Sequence, residues 1–160
     1  MSYTPLINLL PEVGYKETRT ATVGPGNRYQ LPADSYGFVE LYCEDKGCDC
    51  RRVFFLVVTE KTQKEVATVT FGWESKDFYA RWYTHNKKAT YAKLSKEDRL
   101  MVDSLYGVHL NPMSPQSKIA NQVLALVEDC IISDEDYCNR LKRHYKLFRA
   151  KVDEKHRKNK

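Results

Sequence analysis

The sequence predicts an α+β domain, in which an antiparallel β-meander of about four or five strands is followed by about three α-helices. Between residues 36 and 84, apolar and polar residues alternate with a period of two, and short polar turns separate the runs. After residue 84, the apolar residues recur every three or four positions, as on one face of a helix. Strands first and helices second are typical of this fold class.

The predicted strands follow one another closely. They are expected at residues 17–23, 36–43, 52–60, 65–73 and 78–84. The strand at 52–60 contains a continuous apolar run, which is typical of a strand buried on both faces. Before the strands, an apolar patch at residues 6–10 that Pro11 closes predicts a short helical turn.

Three helices are predicted in the second half of the chain. The first begins after Ser95, a good N-cap, and ends near Gly107, which leaves residues 107–112 as a loop. The other two are expected at 115–131 and 134–152. The last helix should pack through one apolar face, formed by Tyr137, Leu141, Tyr145, Phe148 and Val152.

The length of 160 residues and a 42% hydrophobic content suit one domain with a core and exclude a disordered chain. We assign residues 1–152 to a single domain and expect residues 153–160 to be a frayed basic tail. The first residues lack the basic and apolar regions of a signal peptide, and no apolar run is long enough to cross a membrane. A cytoplasmic protein is therefore expected.

Three of the five cysteines, Cys43, Cys48 and Cys50, lie within eight residues between two predicted strands. In a reducing compartment, clustered cysteines favour a metal site over disulfides, and thiolates most often hold zinc. Gly47 can adopt the positive φ that a tight loop requires. The alternative is a set of reduced thiols in a turn, or a local disulfide.

A closed zinc site needs a fourth ligand, and this segment offers only carboxylates. His109 is the first candidate and His85 the alternative, since both are expected in loops; an acidic residue or water would complete the set otherwise. Cys130 and Cys138 are interpreted as packing residues. Arg51 and Arg52 either bind an anion or offset the charge of a thiolate-rich zinc centre.

Positive charge is concentrated at the C-terminal end of the chain. Residues 139–160 contain ten Lys and Arg against two acids, whereas residues 1–138 contain sixteen against nineteen. Such a helix can contact nucleic acid, an anionic surface or an acidic partner, or can simply be solvated. The candidate binding residues are Arg140, Lys142, Arg143, Lys146 and Arg149.

The segment from Tyr42-Cys43 through Cys48-Asp49-Cys50-Arg51 resembles the cysteine cluster of a family of small bacterial proteins of unknown function. Its C-x-C element is also similar to part of the SEC-C metal-binding motif. The closing Cys-His or Cys-Cys pair of that motif is missing, because no Cys or His follows Cys50 until His85. The resemblance covers about ten residues and implies metal binding without an activity.

These observations favour a zinc-binding domain in which the metal is structural and which binds an unknown macromolecular partner. One alternative is a metal-dependent enzyme with an open zinc position. The other is a nucleic-acid-binding protein that uses the basic C-terminal helix. No complete catalytic arrangement is found, so an enzyme is not the preferred interpretation.

Overall fold

The computed structural model describes residues 2–160. Within this range, the strands form one six-stranded antiparallel sheet. In chain order they are β1 Tyr3–Pro5, β2 Arg19–Val23, β3 Asp34–Cys43, β4 Arg52–Thr59, β5 Glu65–Gly72 and β6 Gly107–Leu110. Their order across the sheet is β1-β3-β4-β5-β6, and β2 also pairs with β3. The α+β class is confirmed, although there are more strands and helices than predicted.

The helices lie around this sheet. In chain order they are α1 Leu6–Leu9, α2 Pro11–Glu17, α3 Lys76–Thr84, α4 Lys96–Leu105, α5 Ala120–Val127 and α6 Glu135–Lys158. A short 3₁₀ helix covers Tyr91–Lys93, and a π-helical turn follows α5 at Glu128–Ile132. Among the described helices, none combines the length and apolarity needed to cross a membrane.

The predicted strand at residues 78–84 is wrong, because this segment lies within α3. The Ser75 hydroxyl accepts a hydrogen bond from the Phe78 N–H at 3.1 Å, and Asp77 lies in the first turn. These two helix-start signals outweigh the alternation of aromatic residues that suggested a strand. The predicted loop at 107–112 is also wrong in part, since β6 pairs with β5 along the edge of the sheet.

The last two helices differ from their predicted bounds. α5 starts at Ala120, not at residue 115, because the preceding segment lies along β5. There, the Gln116 side chain accepts the Thr68 N–H at 3.1 Å and donates to the Thr68 carbonyl at 2.9 Å. α6 continues to Lys158, past the predicted end at residue 152.

The core lies between one face of the sheet and helices α5 and α6. The apolar face predicted for α6 is confirmed, since all five of its members are buried. On β4, Val53, Phe55 and Val57 are buried, whereas the side chains between them are only partly buried. The prediction that this strand is buried on both faces is therefore wrong.

The β3–β4 connection, which contains Cys48 and Cys50, lies at the same end of the sheet as helices α3 and α4. Because neighbouring strands are antiparallel, the end of β3 and the starts of β4 and β6 lie beside the end of β5. At this end, Gly72 permits a close approach of α3 and α4: a Cβ at Gly72 would lie 2.1 Å from the Leu105 carbonyl oxygen and 2.7 Å from the Tyr79 hydroxyl. Tyr79 is thereby held close to the β3–β4 connection.

Candidate metal centre

Cys43, Cys48 and Cys50 come together at the end of the sheet. Cys43 is the last residue of β3, and the other two belong to the connection of residues 44–51, hereafter the cysteine loop. Their three sulfur atoms lie within 4.8 Å of one another. Cys43 and Cys50 are fully buried, whereas Cys48 is partly exposed. Gly47 has a φ of 68°, as the sequence predicted for a tight loop.

The loop is held in place by α6. Arg149, which is only 9% exposed, donates hydrogen bonds to the Cys43 carbonyl at 2.8 Å and to the Asp45 carbonyl at 3.0 Å. Its guanidinium also forms an ion pair with Asp153 at 3.3 Å. Because the planar guanidinium binds two carbonyls at once, it fixes the path of the backbone between the first and second cysteines.

Two tyrosines fix the backbone immediately after Cys50. Arg51 has a φ of 48°, a left-handed conformation that side chains other than glycine rarely adopt. The Tyr79 hydroxyl donates to the Arg51 carbonyl at 2.9 Å, and the Arg51 N–H donates to the Tyr145 hydroxyl at 3.3 Å. The surrounding fold therefore maintains a strained backbone that turns Cys50 toward the other two sulfurs.

The N-terminal strand covers the same cluster. Tyr3 is paired with Cys43 across β1 and β3, and its ring stacks on Phe54 with 3.8 Å between centroids. The Glu44 N–H donates to the Ser2 carbonyl at 2.9 Å. Burial raises the pKa of Tyr3, and the nearby Cys50 thiol adds to this effect. No sequence pattern indicates this contribution of Ser2 and Tyr3.

The cluster shifts the pKa values of Cys48 and Cys50 in opposite directions. Hydrogen bonds from the Cys43 and Cys50 thiols to Cys48 hold the pKa of Cys48 well below its usual range, and the Arg149 charge acts in the same direction. The hydrogen bond between Cys43 and Cys50, followed by the one between Cys48 and Cys50 and by burial, raises the pKa of Cys50.

A buried positive charge lies next to the cluster. Arg52 is 6% exposed, and its Nε has no hydrogen-bond partner within residues 2–160. Arg52 follows Cys50 by two residues, and its guanidinium lies 5.4 Å from the centre of the Phe54 ring. A buried guanidinium requires a compensating negative charge. A divalent metal with three thiolate ligands carries one net negative charge and meets this requirement.

Neither predicted fourth ligand belongs to the group of three sulfurs in the described part of the chain. His109 lies on β6 opposite Thr70, and its Nε2 lies 2.5 Å from the Tyr106 carbonyl oxygen. His85 is exposed at the C-terminal end of α3, with a φ of 54°. It lines the same groove as Cys48, with a volume of about 820 Å³. Of the two histidines, His85 is the one that shares a surface with the cluster.

The other predicted residues lie elsewhere. Cys130 and Cys138 are outside the cluster and pack against the core, as predicted. On α6, the expectation of an exposed basic face is wrong for Arg149, which is buried at the cysteine loop. Arg143 forms an ion pair with Glu17 at 2.7 Å, and the Arg140 guanidinium lies 5.5 Å from the centre of the Tyr137 ring. Lys142 and Lys146 remain exposed.

A second cluster of polar side chains is buried between β3 and α6. Glu40 accepts hydrogen bonds from the Tyr137 hydroxyl at 2.7 Å and from the Tyr42 hydroxyl at 2.8 Å. His144 is fully buried: its Nδ1 lies 2.7 Å from Glu40 Oε2, and its Nε2 contacts Glu17. This carboxylate–imidazole–carboxylate chain connects the sheet, α6 and α2, and it was not predicted.

The chain of Glu40, His144 and Glu17 predicts a pH-dependent contribution to stability. Burial alone lowers the pKa of His144, but hydrogen bonds and charges from both carboxylates outweigh it and raise the pKa above 6.5. The His144 hydrogen bond, ahead of Arg143, lowers the pKa of Glu17 below 4.5. The His144 contribution is complete below pH 6.5 and is lost as the pH rises through the raised pKa. The Glu17 contribution is present above pH 4.5 and is lost as the pH falls through the lowered pKa.

We therefore expect the difference in unfolding free energy between the wild type and His144→Gln to be largest between about pH 4.5 and 6.5. Denaturant unfolding of both proteins at a series of pH values measures this difference. Titration of the cysteines is common to both proteins and cancels in the subtraction. If the difference in unfolding free energy does not change with pH, His144 has no charge interaction with Glu40 and Glu17 that contributes to stability.

No family model, curated protein or solved structure matches this chain in comparisons with known proteins. The functional interpretation therefore depends on the geometry of the site itself.

Proposed function

We propose that this protein is a metal-binding domain that holds one zinc ion through Cys43, Cys48 and Cys50. The observation that carries the proposal is that three sulfur atoms lie within 4.8 Å of one another. All five cysteines in the described chain are free thiols, so these three sulfurs are available as metal ligands. Thiolate ligands favour zinc among the metals available to a reduced protein. Free thiols also suit a reducing compartment, so we propose a cytoplasmic location.

In this proposal the metal has a structural role. The cysteine loop connects β3 to β4, its backbone is bound by Arg149 from α6, and Cys43 pairs with Tyr3 of β1. One metal ion at the cysteine loop would hold together the β3–β4 connection, α6 and β1. Because the unfolded chain has no preformed site, the free energy of metal binding becomes free energy of folding.

A metal-dependent enzyme is the second candidate, and one observation favours it. The partly exposed ligand, Cys48, lines the groove of about 820 Å³, so a fourth coordination position on that side would be accessible to a small molecule. Catalytic zinc sites have such an open position, whereas structural sites are closed by a fourth protein ligand. His85, which lines the same groove, is our proposed closing ligand in the structural case.

Metal analysis of protein purified without added metal tests the proposal. We expect one zinc per chain in the wild type and in Cys130→Ser, and a loss of most of the zinc in Cys48→Ser. Protein without metal whose Cys43, Cys48 and Cys50 thiols react freely in the folded state would contradict it.

Cobalt substitution separates the two roles of the metal. If His85 closes the site, His85→Ala will shift the visible absorption bands of bound cobalt, and added imidazole will shift those bands only in the variant. If the position is open, imidazole will shift the bands of the wild type, and His85→Ala will leave them unchanged.

A further inference from the structure

The surface around the cysteine loop has a form that the proposed metal site does not explain. Gly47 lines three grooves that meet at the loop. The first, of about 820 Å³, lies between the loop and α3. The second and third, of about 500 and 460 Å³, lie between the loop and α6. The loop thus stands at the junction of one branched, concave surface.

This surface is basic, and most of its cations form no ion pair within residues 2–160. Six of the side chains that line it form no ion pair within residues 2–160: Lys46, Arg81, Lys87, Lys146, Arg157 and Lys160. Three acids also line the grooves: Asp49 pairs with Arg51 at 2.9 Å, Asp153 pairs with Arg149, and Asp45 accepts a hydrogen bond from the Ser2 N–H at 3.2 Å. Positive charge is in excess in the first two grooves and over the whole surface, whereas Lys146 and Arg149 are balanced by two acids in the third. An excess of this kind is expected for a site that binds a polyanion.

The first groove also has an aromatic wall. Phe78 and Trp82 lie on it, one helical turn apart on α3. The Arg51 guanidinium lies 4.6 Å from the centre of the Phe78 ring. No cation of residues 2–160 lies over the ring of Trp82, the other aromatic side chain of this groove. Bases of a single strand stack on such rings, whereas a duplex hides its bases from them.

We propose that these grooves bind a single-stranded nucleic acid, with phosphates on the cations and a base on Trp82. The inference depends on the proposed function, because the metal would hold the cysteine loop at the junction of the grooves. It differs from recognition by α6 alone, since Arg143 and Arg149 are already engaged with carboxylates and backbone carbonyls. An acidic protein would satisfy the charges but would leave the aromatic wall unused.

Fluorescence anisotropy with labelled twelve-nucleotide single strands of RNA and DNA tests the inference on zinc-loaded, full-length protein. Their duplex and poly-glutamate serve as competitors. We expect the single strands to bind at least tenfold more tightly than either competitor, and the affinity to fall with salt as phosphate contacts release counterions. Arg81→Glu should weaken binding about tenfold and reduce the salt slope by about 1.

Trp82→Leu keeps an apolar side chain against the satellite core around Tyr79 and Val102. It should weaken binding about tenfold without changing the salt slope, because stacking releases no counterions. The matched control is Lys64→Glu, an exposed position in the β4–β5 turn at the opposite end of the sheet. This control should bind as the wild type does.

The inference would be overturned if Lys64→Glu lowered the affinity for the single strands as much as Arg81→Glu does, or if Trp82→Leu left that affinity unchanged. It would also be overturned if the duplex or poly-glutamate bound as tightly as the single strands. The zinc content of each sample is measured in parallel. A fully metal-loaded protein that binds no single strand overturns this inference and leaves the proposed metal site standing. A protein without metal overturns the proposed function instead.

Discussion

Replacement of Cys48 by serine is expected to lower the free energy of unfolding by about 3 to 5 kcal/mol, the scale of losing a ligand of a structural metal site. Cys48 is the best position for this test because it is the partly exposed member of the cluster. Its sulfur contributes less to packing than the fully buried sulfurs of Cys43 and Cys50, so the loss reports the metal and not a cavity.

The control is Cys130→Ser, which removes a partly buried thiol outside the cluster and should cost much less. With excess chelator, the free energy of unfolding of the wild type should fall to that of Cys48→Ser. Chelator should change the free energy of unfolding of the variant little. If the wild type unfolds identically with and without chelator, the structural role is wrong. If the metal were catalytic, chelator would leave the unfolding of the wild type unchanged and would abolish an activity.

The sequence predicted the sheet strands near the site well, and the reason is physical. β3, β4 and β5 have strong period-two alternation and short connections, which determine strand pairing locally. The three cysteines were found for the same reason, since they lie within eight residues. By contrast, β6 is a short edge strand whose pairing with β5 spans more than thirty residues of sequence, and no local pattern specifies it.

The supports of the metal site were missed because they come from distant segments. Tyr3 and Arg149 reach the cysteine loop from opposite ends of the chain, and only the folded topology brings them together. The position of Arg149 on a basic helix predicts a solvated side chain, which is wrong. Its actual role as a donor to two carbonyls depends on where α6 crosses the sheet, which helical spacing cannot determine.

The sequence contains a pattern that indicates the buried cluster of Glu40 and His144. The period-two alternation of β3 puts Glu40 on the same strand face as Phe38 and Tyr42, so that a charge lies on an apolar face. His144 adjoins Tyr145 and follows Leu141 by three residues, which puts it on the apolar face of α6. A carboxylate and an imidazole on facing apolar surfaces predict a buried pair, because neither group is buried without a partner.

The prediction with the other large effect concerns that pair. Glu40→Ala should lower the free energy of unfolding by about 3 to 5 kcal/mol, because it removes one partner of a buried ion pair. The substitution leaves His144 and the hydroxyls of Tyr42 and Tyr137 without the acceptor that they share. The Tyr137 hydroxyl and His144 Nδ1 would then remain buried without the acceptor, which costs more than the hydrogen bond itself contributes. The Tyr42 hydroxyl would keep the Leu141 carbonyl, 3.3 Å away.

Glu40→Gln removes the charge and keeps only part of the hydrogen bonding. The Tyr137 and Tyr42 hydroxyls bond different carboxylate oxygens, so the single amide oxygen can serve only one of them. Because the amide keeps one acceptor but loses the charge opposite His144, the stability of this variant should lie between those of the wild type and Glu40→Ala. Glu65→Ala, an exposed glutamate on β5, is the matched control and should change stability by less than about 0.5 kcal/mol. Denaturant unfolding of the three variants near pH 5.5, where His144 is charged, gives the comparison. Equal stability of Glu40→Ala and Glu65→Ala would mean that water replaces the carboxylate, and that the cluster does not hold α6 to the sheet.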